Sequence, residues 1–380
     1  MRVLHVYKTA LPDSIGGIER VVHTLARHAQ ARGVHCEVLA LCSDAAHAGT
    51  QVHAGYTLHR LQRLAEVAST PISLGLVRRY AQLARRADLI HYHFPWPFMD
   101  AVHLAASAGT PSVLTYHSDI VRQRQLLRLY RPLQRRFLRS VDHIVATSPN
   151  YLASSAVLAE HRAKVSVIPI GLDAVPQHAA SPQRVEAWRA RLGPRFLLFV
   201  GVLRYYKGLR FLLQAAQGLQ IPIAIVGDGP EAPALRAQAQ GLGLSNVHFL
   251  GAVEEGDKHA LLAACHALVF PSHLRAEAFG LSLLEAAMHG KPMISCEIGT
   301  GTSFVNVDGE TGLVVPPADP VALRDAMRYL WDHPHIAAAF GGNAEGRYRR
   351  LFSADGMIDA YLELYRGVCG ARSAADGEWG

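Results

Sequence analysis

The chain has 380 residues and a net charge of +7; half of its residues are hydrophobic and 18% are charged. That composition excludes a disordered or collagen-like chain and suits two domains of ordinary size. No run approaches the ~18 consecutive apolar residues of a membrane span, and strand-like Val3–Tyr7 follows Met-Arg at once, with no apolar leader. Five cysteines, an odd number with no C-x-x-C pair, fit a reduced, cytoplasmic protein. Residues 1–175 hold 20 basic and 11 acidic residues (+9), whereas 176–380 hold 18 and 20 (−2). The basic half predicts an anionic partner: nucleic acid, a membrane surface or a phosphorylated ligand.

In chain order, apolar runs at 2–7, 35–41, 88–92, 112–116, 142–147 and 165–169 read as strands, with helical patterns at 17–32 and 74–86. A further helix over 120–141 holds seven arginines and no acid. Arg124, Arg128, Arg131, Arg135 and Arg139 recur at helical spacing; Leu126, Tyr130, Leu133 and Phe137 form an opposite stripe; Pro132 is expected to kink or split the helix. It reads equally as a core-packed helix with a solvated basic face or as an interfacial one. The stretch 174–184, with two prolines and no apolar periodicity, reads as a linker. The pattern restarts with strands at 196–201, 221–226, 246–250, 267–270, 292–296 and 312–315, and helices at 208–217, 231–241, 257–264, 280–289 and 319–332. A late helix covers 355–367, and the last ten residues are expected to fray. Such alternation predicts two doubly wound α/β domains, which bind ligands outside the carboxyl ends of their strands.

Several motifs fall at those ends. Gly16-Gly17 opens the first helix, where paired glycines admit an anion to backbone N–H groups, or simply make a loop. Gly201–Gly208, with Arg204 and Lys207, lies where the second domain's first strand meets its first helix, placing two cations at a phosphate-facing corner. Gly227-Asp228-Gly229-Pro230 reads as a structural turn. In Glu277–Glu285 two carboxylates are separated by seven residues, with Gly280 at the expected helix start. Glu285, among leucines and alanines, is costly to bury without a partner, and ribose hydroxyls are suitable donors. His117 ends a first-domain strand, where it can hydrogen-bond a polar substrate, transfer a proton or serve the core. His91 and His93 alternate along a strand, but no third ligand has metal spacing; with no Asp-x-Asp either, no metal is expected.

Taken in order, the double glycine, the R-x-x-K-G corner, Gly-Asp-Gly-Pro, E-x7-E and Asp308–Pro317 resemble family 4 of the retaining glycosyltransferases over nearly the whole chain. The resemblance implies the GT-B fold: an acceptor-binding Rossmann-like domain (1–175), a nucleotide-sugar-binding one (176–355) facing it across a cleft, a crossover helix (356–370) returning to the first domain, and a tail (371–380). It implies that Gly16 and Gly17 face the donor diphosphate and that Arg204 and Lys207 bind its phosphates. Glu277 would contact hydroxyls of the transferred sugar, the backbone of Phe279, Gly280 and Leu281 would face the donor, Glu285 would hold the ribose, and His117 would line the sugar site. The family places arginine directly after the glycine; this chain has Val202 there and Arg204 two residues on. The wording of Pro271–Gly280 and Ser295–Thr302 is similar to bacterial mannosyl- and rhamnosyltransferases of O-antigen assembly, which implies a GDP-sugar donor.

The implied reaction needs charge stabilisation on the departing diphosphate, which Lys207, Arg204 and the helix start near Gly280 would supply without metal or other cofactor. No carboxylate pair is placed as nucleophile and acid, so front-face attack, with the leaving phosphate accepting the acceptor's proton, is expected. Domain closure would exclude water. The expected acceptor is a saccharide on a polyprenyl diphosphate, met at the inner face of the plasma membrane by the basic Arg122–Arg139 segment. Alternatives are a UDP-sugar-dependent transferase, a GT-B epimerase or synthase, and a basic nucleic-acid-binding α/β protein. The last leaves Glu277 and Glu285 without a purpose, and no nucleic-acid partner is expected.

Overall fold

The computed structural model describes residues 1–14, 16–106, 109–120, 124–174 and 180–377. It divides into two units, Met1–Asp173 with Ser353–Gly380, and Ala174–Phe352. The first runs β1 (Arg2–Val6), α1 (Gly17–Ala31), β2 (His35–Cys42), β3 (Gly49–His53), β4 (Tyr56–Gln62), a hairpin of β5 (Ala65–Val67) and β6 (Thr70–Ile72), α2 (Gly75–Ala84), β7 (Leu89–Phe94), α3 (Pro97–Ala106), β8 (Ser112–Tyr116), α4 (Arg124–Ser140), β9 (His143–Ala146), α5 (Pro149–Ser154), α6 (Ala156–Ala159) and β10 (Val165–Val167). The second runs α7 (Pro182–Leu192), β11 (Leu197–Val200), α8 (Leu209–Ala216), β12 (Ile223–Val226), α9 (Ala232–Gly241), β13 (Val247–Gly251), α10 (Glu255–Ala264), β14 (Ala267–Phe270), α11 (Leu281–Met288), β15 (Met293–Cys296), α12 (Thr302–Val305), β16 (Gly312–Val315), α13 (Pro320–Asp332) and α14 (Pro334–Leu351). Then α15 (Ala354–Gly377) returns to the first unit.

Each unit is built on a sheet whose strand order reverses once. The second has the order β13-β12-β11-β14-β15-β16, every pairing parallel. Its central strands are continuous apolar runs, as strands covered on both faces must be: Leu197–Val200 and Ala267–Phe270 are fully inside. The first has the order β10-β9-β8-β7-β1-β2-β4-β3. Its pairings are parallel except at one edge, where β3 pairs antiparallel with β4. The strand order reverses between β1 and β7 in one unit and between β11 and β14 in the other, and such points open ligand crevices at strand carboxyl ends.

Other boundaries also move. Residue 175 lies outside the described residues, and the units divide at Asp173. Residues 182–184, read as linker, start α7, because Ser181 caps its N-terminus and Pro182 suits the first turn. The last helix starts at Ala354 rather than 356 and continues through 371–377, read as tail. Tyr361 and Tyr365 tie it to the first unit's sheet through Thr115 (2.7 Å) and His91 (2.6 Å). Pro132 does not split α4, which runs unbroken over 17 residues; the proline is exposed, where water can serve the carbonyl left without a donor. Arg122, one end of the basic segment, lies outside the described residues. All five cysteines are free, four of them buried.

Candidate functional site

The second unit gathers its predicted residues at the reversal of its sheet. Lys207 ends the turn after β11, and Glu277 lies in the loop after β14. Their side chains meet with Nζ to Oε2 at 2.5 Å, both nearly buried. Ser272 donates its hydroxyl to the same carboxylate at 3.1 Å, and the Lys207 ammonium stands 4.6 Å from the centre of the Phe270 ring. An ion pair sheltered in this way is strong only when further hydrogen bonds satisfy it, as the serine does. The corner is tight: a Cβ on Gly208, whose φ is +71°, would lie 1.9 Å from the Pro271 carbonyl oxygen.

Gly280 caps α11 at φ +87°, and a Cβ there would crowd Leu283 and the Phe270 ring. The backbone N–H groups that open the helix at Leu281 lie at the positive end of the helix dipole. Phe279 is buried against Phe352 and supports this turn. Glu285 sits one turn inside α11, buried as expected, but its partner is a residue the sequence reading missed: Lys258 on α10 donates to Glu285 Oε1 at 2.6 Å and also reaches Glu255 at 2.6 Å. The ribose reading supplied donors for Glu285 from a ligand; the fold supplies a lysine from 27 residues away. The available sequence signal was Lys258 itself, a lysine in a helix whose other buried residues are His259, Ala260, Leu261, Leu262 and Ala264.

Arg204 does not join this group. Its side chain is exposed and forms no hydrogen bond or ion pair with the described residues. Val202, where the family pattern has arginine, is likewise exposed. The Gly227–Pro230 turn is structural, since Leu203 N donates to the Asp228 carbonyl at 2.9 Å and laces the two corner loops together.

In the first unit, Gly16 precedes α1 and Gly17 begins it. A Cβ on Gly16 would strike the Glu19 carboxylate, which folds back and accepts from Thr9 (2.7 Å) and Ser14 (3.2 Å). His117 follows β8 and is buried. Burial drives its pKa down to about 3, so the ring is neutral near pH 7 and acts there as a hydrogen-bonding group rather than a proton donor. Its Nε2 lies 3.1 Å from Nδ1 of His93, whose Nε2 lies 3.3 Å from Nδ1 of His5 on β1. The third imidazole that local spacing lacked is therefore present in space: nitrogens of His5, His91 and His93 lie within 4.8 Å of one another. Both His91 nitrogens are already engaged, by Tyr365 (2.6 Å) and Thr115 (2.7 Å).

Two family models divide the chain between them, Glycosyltransferase Family 4 over residues 15–175 and Glycosyl transferases group 1 over 182–347. The D-rhamnosyltransferase WbpZ of Pseudomonas aeruginosa is 56% identical over 354 residues, 93% of each chain. The chain belongs to glycosyltransferase family 4. The O-antigen chain mannosyltransferase C of Escherichia coli is 48% identical over 98% of this chain and all of its own length. Sucrose-phosphate synthase from Thermosynechococcus elongatus, at 22% identity, superposes with a TM-score of 0.79 over 97% of this chain and 99% of its own, which shows the GT-B fold. As a member of this family the chain is an enzyme that transfers a hexosyl unit.

Proposed function

We propose that the enzyme transfers mannose or D-rhamnose from a GDP-sugar, with retention of configuration, to a polyprenyl-diphosphate-linked saccharide in O-antigen assembly. The identities to a D-rhamnosyltransferase and an O-antigen mannosyltransferase support this sugar and setting. The observation that carries the chemistry is the Lys207–Glu277 pair at the sheet reversal. It supports a reading in which Lys207 is the cation for the departing diphosphate and Glu277 the carboxylate for the hydroxyls of the transferred sugar. The N–H groups opening α11 add positive potential, and Glu285, held by Lys258, takes the ribose. Gly16, Gly17 and His117 are the first unit's contribution to the donor, and Arg204, exposed and unpaired among the described residues, is available to its outer phosphate. As the sugar–phosphate bond breaks, negative charge grows on the phosphate oxygens. Lys207 stabilises it, and the same oxygens accept the proton of the attacking acceptor hydroxyl. In this scheme no step requires a metal ion or another cofactor.

No helix among the described residues is long and apolar enough to cross a membrane. Helix α4 is the proposed contact with the cytoplasmic face of the membrane. Its Leu126 and Leu129 are 50% and 81% exposed beside exposed Arg128, Arg131 and Arg139. The test of the donor assignment is a screen of GDP-mannose, GDP-rhamnose, UDP-glucose and ADP-glucose with a lipid-linked acceptor, read by mass spectrometry of the product, with and without EDTA. Transfer from a GDP-sugar that survives EDTA is expected. Transfer from a UDP-sugar alone refutes the donor, and loss with EDTA that Mg²⁺ restores refutes the metal-free scheme.

A further inference from the structure

The first unit's sheet reversal holds a feature that the proposed reaction does not use. His5, on β1, and His93, on β7, are entirely inside the protein, where the chain His5–His93–His117 runs from the sheet core to the strand ends. Burial lowers the pKa of His5 to about 3 and that of His93 well below its ordinary value, so all three rings are neutral near pH 7. A neutral imidazole has one N–H and one bare nitrogen. Two hydrogen bonds through three such rings leave only two arrangements of the protons.

In one arrangement His117 Nε2 donates to His93 Nδ1, and His93 Nε2 donates to His5 Nδ1. The proton of His5 then sits on Nε2. That atom is buried and has no partner in the structure, so an N–H would be orphaned there. In the other arrangement His5 Nδ1 donates to His93 Nε2, and His93 Nδ1 donates to His117 Nε2. The buried end is then a bare ring nitrogen, and no polarised hydrogen is stranded. His117 must then carry its proton on Nδ1, the open end of the chain, which bonds to none of the described residues. Backbone fixes both ends: His5 pairs in register with His91 across β1 and β7, and His117 N donates to the Phe94 carbonyl at 3.1 Å.

We propose that His5 and His93 are positioning residues that hold His117 as its Nδ1–H tautomer, so that it offers a hydrogen-bond donor to an oxygen of the transferred sugar. The inference rests on the reading that His117 faces that sugar. His91 stands outside the chain, bound to Tyr365 and Thr115, and locks the C-terminal helix to the same sheet.

Nitrogen-15 NMR of the histidine rings of the whole wild-type enzyme tests the tautomer without any substitution. His117 protonated on Nδ1, with Nε2 bare, is expected; the opposite assignment overturns the proposal. His93→Phe should lower kcat/KM about tenfold, the effect of one misdirected hydrogen bond, and should mix the His117 tautomers, while His93→Gln, which keeps a donor and an acceptor, recovers most of the activity. If His93→Phe folds and matches wild type in rate and tautomer, the chain does not set His117. If instead His117→Ala retains full activity while the tautomer is as expected, the sugar-facing reading fails and the proton arrangement stands. One equivalent of a transition metal in the purified enzyme, lost in His5→Phe, overturns the proposal, because those nitrogens would then be ligands.

Discussion

Of the 38 basic residues 33 are arginine, yet two of the five lysines lie buried against the two carboxylates of the E-x7-E segment. Lysine suits both places: its ammonium is compact and directs three donors, and at Lys207 it also stands over the Phe270 ring. Lys207→Ala is expected to lower turnover by ~10²–10³ while donor affinity changes little, because its charge matters most as the leaving group forms. Single-turnover rates beside calorimetric donor titration check this, and wild-type turnover in the variant defeats the mechanism. Glu285→Gln should instead weaken donor binding. Lys258→Ala strips the cation from a buried carboxylate and should destabilise the fold by about 3–5 kcal/mol; the double variant Lys258→Met/Glu285→Gln should regain most of that in thermal unfolding without regaining donor affinity. These partners differ in how far the sequence reveals them. Glu277, Gly280 and Glu285 sit within one loop and helix start, where spacing alone marks them. Lys258 is 27 residues from Glu285, and His5 is 88 residues from His93; only strand and helix packing brings each pair together.

At the scale of elements, the central parallel strands were legible because both faces are buried and their sequences are unbroken apolar runs, as in β12 and β14. Of the unpredicted strands, β4 lies inside the sheet between β2 and β3, and its apolar alternation is hidden by His59 and Arg60, which are buried against Glu37 and Asp13; the others lie at margins. β3 is exposed almost throughout, and the β5–β6 hairpin has three residues per strand, too short for any periodicity. Helix α3 was missed as well, and it carries a titratable contact. Asp100 on α3 is buried, with Tyr130 of α4 donating to its carboxylate. Burial raises the Asp100 pKa from 3.8 to about 8, against the opposing effect of the tyrosine hydrogen bond. Between those pH values the folded chain keeps a proton that the unfolded chain has lost. This group's contribution to stability is therefore complete below about pH 4 and is lost as pH rises through about 8. Asp100→Asn keeps an acceptor for Tyr130 and removes the ionisation. Its thermal midpoint should overtake that of wild type between pH 5 and pH 8, and parallel curves would show that the carboxyl is already ionised in the fold.

Over the whole molecule the charge is divided as the sequence indicated, with the excess of basic residues in the first half of the chain and a slight acidic excess in the second. Much of the positive excess is on α4. The stripe of Leu126, Tyr130, Leu133 and Phe137 turns inward only toward the C-terminal end: Phe137 is buried and Tyr130 reaches Asp100, but Leu126 is half exposed and Leu129 almost fully so. Arg128, Arg131, Arg136 and Arg139 are exposed, while Arg135 is paired with Glu160 at 2.9 Å. A helix that is solvated only for solubility does not need two exposed leucines among its arginines, whereas one resting on an anionic surface uses both. Each basic residue near such a surface contributes about 1 kcal/mol, so reversing three should weaken binding by roughly a hundredfold or more at low salt. Wild-type enzyme is therefore expected to sediment with phosphatidylglycerol vesicles at low salt, to be released at high salt, and to stay in solution with phosphatidylcholine. Arg128→Glu/Arg131→Glu/Arg139→Glu should stay in solution in every case, with unchanged nucleotide-sugar affinity, because these exposed residues are none of those assigned to the donor in either unit. Leu126→Ser/Leu129→Ser should bind more weakly and release at lower salt. If the triple variant sediments as wild type does, the membrane is met by another surface and α4 is a solvated helix.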